Sequence, residues 1–208
     1  MTANVNWSGT KPTISAAERR KLARWGAFLF RNRGWLPVPF ILIPLLVPGH
    51  SSTAQWCVGA VIIALGEAIR LPGVAAAGTV TRRRSRDVQR LVTYGVFAWT
   101  RNPLYLGNFL IWTGFVVVSG VFWFLPVALV LFAAEYALIV QYEEGVLESI
   151  FSAEYLAYKR ATPRWIPRLP AERGHGPHAW GEAWRSEAST FLAYAVLALA
   201  FVLKARIY

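Results

Sequence analysis

The chain has 208 residues, of which 55% are hydrophobic and only 16% charged, with a mean hydropathy of +0.37. Soluble domains carry roughly 25% charged residues, so the composition excludes an ordinary soluble globule and points to one compact helical membrane domain. The net charge of +11 does not indicate nucleic acid: the cations fall in blocks between apolar segments, no groove-reading motif is present, and anionic membrane lipids are the partner such placement fits.

In chain order, residues 1–13 are polar and lack the apolar core of a signal peptide. Residues 14–33 have helical periodicity, with Ile14, Ala17, Leu22, Trp25, Phe28 and Leu29 on one side and six Lys/Arg on most of the rest. That pattern suits an interfacial helix on an anionic surface, or a solvated juxtamembrane helix. Residues 35–48 are apolar but hold Pro37, Pro39, Pro44 and Pro48, which predicts a short, kinked crossing. After an uncharged turn at 49–53, residues 54–71 predict a second crossing. Glu67 and Arg70 lie at its edge, three apart and able to pair. Cys57, the one cysteine, reads as a small core hydrophobe.

Residues 72–100 read as a long polar connection carrying Arg82, Arg83, Arg84, Arg86 and Arg90. From Leu104 to Tyr142 come 39 mostly apolar residues, enough for two crossings of about 20 residues each. The turn is expected near Val118-Ser119-Gly120. Residues 141–160 read as a separate cytoplasmic helix with an apolar stripe of Val146, Leu147, Ile150, Phe151 and Leu156. Residues 169–188 are polar and Trp-rich, and 189–203 are a short apolar segment that either crosses or docks at the interface. If 35–48, 54–71, 104–119 and 121–140 each cross once, the basic blocks 19–33, 82–90 and 159–173 share one face. The loops 49–53 and 118–122 lack Lys and Arg, so the basic face is expected in the cytoplasm.

The predicted fold is all-α: a polytopic membrane protein with four to five transmembrane helices and a cytoplasmic C-terminal catalytic helix region. Its parts are a basic N-terminal helix (1–34), a transmembrane hairpin (35–71), a catalytic core (72–168) containing the hairpin 104–140, and a C-terminal loop and membrane helix (169–208).

Two polar blocks flank that second hairpin. One is Thr100-Arg101-Asn102-Pro103-Leu104-Tyr105-Leu106-Gly107. The other is Glu143-Glu144-Gly145-Val146-Leu147, followed by Phe151, Tyr155, Tyr158 and Pro167. Two crossings return the chain to its starting face, so arginine and carboxylates meet there. In this order and spacing, with Gly95-Val96-Phe97 upstream, the blocks resemble the integral-membrane isoprenylcysteine carboxyl methyltransferases and the related phospholipid methyltransferases over about residues 60–167. Asn102 stands where the first branch has histidine, as in the phospholipid-methylating branch. Ile139 replaces an arginine that often precedes the glutamate pair by four.

The resemblance implies S-adenosylmethionine bound at the cytoplasmic surface outside any dinucleotide fold, and the chain has no G-x-G-x-x-G after a strand. A pocket for that cofactor needs an anion near its amino group, a cation near its carboxylate and aromatic faces near adenine or sulfonium. Glu143 or Glu144 supplies the first, Arg101 the second, Tyr105 or Tyr158 the third. Adjacent helical residues point about 100° apart, so one glutamate is expected to face the ligand and the other to pair with Lys159, Arg160 or Arg164. Asn102 and Pro103 read as the cap and first residue of a helix, and with Gly107 they complete the candidate cofactor set.

Arg70, Glu135 and Glu144 are the candidate catalytic residues, with Glu67 beside them, because ionisable groups in membrane segments are functional suspects. Glu135 either lines a lipid-substrate cavity or bonds a neighbouring helix. His175 and His178 have no third donor nearby, so no metal site is expected. Arg185-Ser186-Glu187 either caps the last helix or touches substrate. The expected substrate is a lipid or prenylated acceptor, with a carboxylate or a headgroup amine receiving the methyl group. The alternative is a non-catalytic basic membrane protein that binds anionic lipids or a partner.

Overall fold

The computed structural model describes residues 16–34, 37–78, 90–170 and 174–207. Among the described residues, six α-helices make the fold: α1 (Ala16–Asn32), α2 (Pro37–Leu46), α3 (Thr53–Ala77), α4 (Pro103–Ser119), α5 (Phe124–Ala161) and α6 (Trp180–Ile207), with a 3-10 turn at Gly95–Ala98. Among the described residues there is no strand. Helices α3, α5 and α6, of 25, 38 and 28 residues, are long and apolar enough to cross a membrane, and the protein is an integral membrane protein.

Glycine spacing explains the central pair. Gly59, Gly66 and Gly73 recur every seventh residue on α3, and Gly107 and Gly114 do so on α4. The helices run antiparallel so closely that a Cβ on Gly66 would lie 2.7 Å from the Gly107 carbonyl oxygen, and one on Gly59 would lie 2.7 Å from that of Gly114. In lipid, where hydrophobic attraction between helices is absent, such close backbone approach is a main source of association. Helix α4, at 17 residues, crosses by lying along α3. Gly120 adopts φ +71° at its end, a left-handed C-cap that lets the chain turn at once into α5. Ser52 caps α3 by accepting from the Gln55 amide at 3.3 Å.

Helix α2 has only ten residues, about 15 Å of rise. Its flanks still reach both ends of the bundle. Arg33 meets Glu143 at 3.3 Å, and a Cβ on Gly49 would lie 2.8 Å from the Ser119 carbonyl oxygen. The proline-rich segment therefore runs the length of the bundle with helix over only part of it. Helix α6 ends beside the same turn. Lys204, 5% exposed, donates to the carbonyls of Pro44 at 2.6 Å and Ser119 at 3.3 Å, satisfying orphan acceptors at helix C-termini.

Several expectations are corrected. Helix α3 does not stop at residue 71 but continues through Pro72 to Ala77, where Val74 and Ala75 pack against Ala183 of α6. The final helix begins at Trp180, nine residues before the apolar segment at 189, so half of the polar loop is helical. Residues 141–160 are not one separate helix: 141–151 continue α5, and a second helical segment follows a break at Ser152. Cys57 is exposed on α3 rather than buried in the core. Of the apolar stripe after residue 145, Ile150 and Leu156 are exposed and Val146, Leu147 and Phe151 half-buried, while Glu144, Tyr155 and Tyr158 are buried. Of the N-terminal stripe, Ile14 and the side chains of Ala17 and Leu22 lie outside the described residues; Trp25 and Phe28 are exposed, whereas Leu29 packs with Phe30 on the α5 cluster of Tyr136, Ile139 and Val140. Arg82, Arg83, Arg84 and Arg86 also lie outside the described residues.

Candidate active site

The two polar blocks meet at one end of the bundle. Pro103 opens α4 as its first residue, which leaves the Arg101 side chain just outside the helix. Glu144 sits on α5, 43 residues away, and the two form an ion pair: Arg101 Nη2 lies 2.9 Å and Nε 3.2 Å from Glu144 Oε1. Arg164 grips the same carboxylate, with Nε 3.0 Å from Oε1 and Nη2 on Oε2. Lys159 Nζ stands 3.8 Å from Oε2 and also pairs with Glu148. Glu144 is 5% exposed. Burial opposes its ionisation, but the hydrogen bonds from Arg164 and Arg101 outweigh that and hold its carboxyl below the usual range.

A break in α5 creates this arrangement. Besides Glu144, the Arg101 guanidinium donates from Nη1 to the carbonyls of Lys159 at 2.8 Å and Thr162 at 2.6 Å. On a straight helix, Glu144 and Lys159 would be about 22 Å apart. Ser152 adopts φ 44°, ψ −112°, near the geometry of the first central residue of a type II′ turn, and the chain folds back there. The returning segment is stitched to the start of α4. Arg101 N donates to Pro163 O at 2.9 Å, Thr100 Oγ1 to Arg164 O at 3.0 Å, and Arg168 N to Trp99 O at 3.0 Å.

Asn102 occupies the cap position of α4 but does not cap it with its side chain. Its Nδ2 donates instead to Arg164 O at 3.0 Å, so the amide positions the residue that clamps Glu144. Tyr158, 9% exposed, donates to Phe97 O at 2.7 Å and packs edge-on to Tyr155; it braces the fold-back rather than presenting an open ring. Gly107 is not at this cluster. It belongs to the α3–α4 crossing, where a Cβ would lie 2.7 Å from Arg70 Cβ.

Glu143 points elsewhere. It accepts from Tyr105 Oη at 2.7 Å and pairs with Arg33, just past α1, at 3.3 Å, with its side chain 28% exposed. Burial raises its carboxyl above the ordinary value, and the Tyr105 hydrogen bond and Arg33 only partly counter this. The two adjacent glutamates thus differ in electrostatic character: one is locked as an anion among three cations, the other is partly exposed and easier to protonate.

Arg70 belongs to a second buried network. It lies 3.0 Å from Glu67 Oε1 and pairs with Glu187 of α6, while Tyr194 donates to Glu67 Oε1 at 2.8 Å. Glu187 is 1% exposed; it neither caps α6 nor sits at the Arg101 cluster. Glu135 lies elsewhere again, against an apolar groove between α2, α4 and α5. Of the residues in these networks, sequence reasoning missed Arg33 and gave Arg164 only a partner's role. Arg33 lies 110 positions from Glu143, with nothing local to link them. The signal for Arg164 was present, since a basic residue between Pro163 and Pro167 has few conformations open to it.

These features define a helical membrane protein with a charged, partly buried site at one end of its bundle. The family model described as phospholipid methyltransferase matches residues 54–154, which include Arg101, Glu143 and Glu144. The cobalt-zinc-cadmium resistance protein CzcN of Cupriavidus metallidurans is 29% identical over 186 residues, covering 88% of this chain and 83% of that protein. Protein-S-isoprenylcysteine O-methyltransferase B of Arabidopsis thaliana is 32% identical over 117 residues (52% of this chain, 57% of that protein). The human protein-S-isoprenylcysteine O-methyltransferase is 31% identical over 121 residues (52% and 40%). No solved structure gives a significant match. Over these residues the chain is similar to the membrane methyltransferases that include the phospholipid and isoprenylcysteine enzymes.

Proposed function

We propose that the protein transfers the methyl group of S-adenosylmethionine to a lipid or prenylated acceptor at the cytoplasmic face of the membrane. The observation that carries this reading is the ion pair between Arg101 and Glu144, which joins the two motif blocks across a membrane hairpin and leaves surplus positive charge beside a partly exposed carboxylate.

The donor set fits the cofactor. Arg101, Arg164 and Lys159 bear three positive charges against two negative charges on Glu144 and Glu148, a surplus of one that suits a carboxylate. Glu143, adjacent and partly exposed, suits an ammonium. Tyr105, 8% exposed, holds Glu143 through its hydroxyl rather than presenting an open ring. When bound, S-adenosylmethionine supplies a methyl group activated by its sulfonium. Glu144, saturated by guanidinium donors, fixes Arg101 and Arg164 in place. Glu143, already holding Tyr105 and Arg33 but partly exposed, is the carboxylate placed to meet the cofactor's amino group or to accept a proton from an amine acceptor; a carboxylate acceptor needs no base. Alignment and exclusion of water then supply most of the rate.

The cytoplasmic assignment rests on charge. Arg31, Arg33, Arg90, Arg160 and Arg168 lie toward the site end, whereas the turn residues 47–52 and 120–123 at the far end contain no Lys or Arg, as positive-inside orientation requires. The test is incubation of membranes holding the protein with methyl-labelled S-adenosylmethionine. Label is expected in the extractable lipid or prenylated fraction with the wild type and not with Arg101→Ala; equal label with both would overturn the reading.

A further inference from the structure

Helices α2, α4 and α5 border an open groove with about 450 Å³ of empty space, its mouth included. Its walls are aromatic: Phe40 from α2, Phe109 and Trp112 from α4, Phe132 and Tyr136 from α5. The rings are already ordered against one another, with Phe132 stacked on Tyr136 at 4.0 Å and Phe109 edge-on to Phe132 at 5.3 Å. One acid lines this apolar groove, Glu135, and its Oε1 is buried with no hydrogen-bond partner. No Lys or Arg stands among the described lining residues. Glu135 is eight residues before Glu143, about 12 Å deeper along α5, so it takes no part in the Arg101 cluster.

An unpartnered carboxylate oxygen in a membrane interior is unfavourable. Helix packing does not require it here, because the walls are held by apolar and aromatic contacts. Carboxylate and aromatic faces together are the two elements that recognise an alkylammonium group: the acid supplies opposite charge, and the rings supply cation–π attraction without competing water. A cationic head compensates the carboxylate of Glu135 when it ionises, whereas an anionic head would meet a like charge.

We propose that this groove is a binding site for a lipophilic amine dissolved in the bilayer, its protonated or quaternary nitrogen on Glu135 between the aromatic walls and its alkyl chain along α2 and α5. The site stands apart from the methyl-transfer reading and does not depend on it.

The test uses the full chain in zwitterionic nanodiscs, titrated calorimetrically with octyltrimethylammonium, octanol or octanoate, with empty nanodiscs as the partition blank. The expected result is saturable binding of the cation only, at least about tenfold tighter than either other probe, and a loss of about tenfold or more in Glu135→Gln, from the worth of a desolvated cation site. Octanol or octanoate binding as well as the cation overturns the proposal, as does unchanged cation binding by folded Glu135→Gln. The probe comparison on the wild type stands even if the variant folds poorly. S-adenosylmethionine binding measured on the same samples reports on the other site separately.

Discussion

Arg101 and Glu144 lie 43 residues apart in the chain, yet their side chains pair at 2.9 Å, and both are almost fully buried. A salt bridge of this kind is weak evidence of net stability when compared with an apolar replacement. Removing one partner is a different matter, because it strands a buried charge, typically at a cost of about 3–5 kcal/mol. Arg101→Met should therefore destabilise the site end strongly and Arg101→Lys should not restore it, since lysine cannot reproduce the fork that also serves two backbone carbonyls. Thermal unfolding in detergent, compared with the double variant Arg101→Met/Glu144→Leu, checks this: the double variant should be more stable than either single one.

The break at Ser152 has its own signature. A positive φ at a residue with a Cβ costs about 1–2 kcal/mol, and glycine avoids that cost. Ser152→Gly is expected to raise the unfolding temperature, and Ser152→Val to lower it and to weaken the fold-back. Tryptophan fluorescence of Trp165 and Trp99 in the two variants gives the readout.

Acidification should act in two opposite stages. The folded state holds Glu143 above the ordinary 4.5, so protonation there adds stability as pH falls from neutral toward 4.5. It holds Glu144 below 4.5, so that residue contributes stability above 4.5, and the contribution is lost as pH falls further. The unfolding temperature of the wild type is expected to pass through a mildly acidic maximum and then fall. In Glu144→Gln the acid-side fall should be shallower, and in Glu143→Gln the rise should be smaller.

Glu187 and Arg70 tie α6 to α3. Glu187→Ala should cost about 3–5 kcal/mol, because it leaves Arg70 short of charge in the bundle interior, whereas Glu187→Gln should cost less. Proteolysis of α6 in membranes, faster in Glu187→Ala than in the wild type, is the measurement.

The glycine contact between α3 and α4 predicts a steric effect confined to packing. Gly66→Leu must push against the Gly107 backbone and the Ile111 side chain, an overpacking cost of about 1–3 kcal/mol. Stability should fall, while cofactor affinity of the folded fraction stays within about twofold, a few tenths of a kcal/mol on the affinity scale.

Much of this was legible in the sequence. The hairpin was visible because apolar length alone sets the number of crossings, and the site end because an even number of crossings returns the chain to its starting face. Pro103 marked the start of α4 through chemistry that sequence displays. Other features had no local signal. Nothing around Ser152 resembles a turn, since the fold-back is imposed by the long-range hold of Arg101 on both Glu144 and Thr162. The stripe from Val146 to Leu156 was legible as a face, but the direction it points was not. Periodicity shows which side of a helix is apolar, not which surroundings that side meets, and beside a bilayer the apolar side turns outward. Gly107 sits inside a family-like motif, yet its position is explained by the seven-residue glycine register it shares with Gly114. Glu187 was noticed without a partner because Arg70 lies 117 residues away.

The central claim is that the charged cluster holds S-adenosylmethionine. Calorimetric titration of the purified protein with S-adenosylmethionine tests it most directly, run in nanodiscs and repeated with Glu143→Gln and Arg164→Ala. The account predicts one saturable site in the wild type, weakened at least about tenfold in each variant by loss of a charge-assisted contact. Absence of binding by folded wild-type protein, or equal binding by both folded variants, would contradict it.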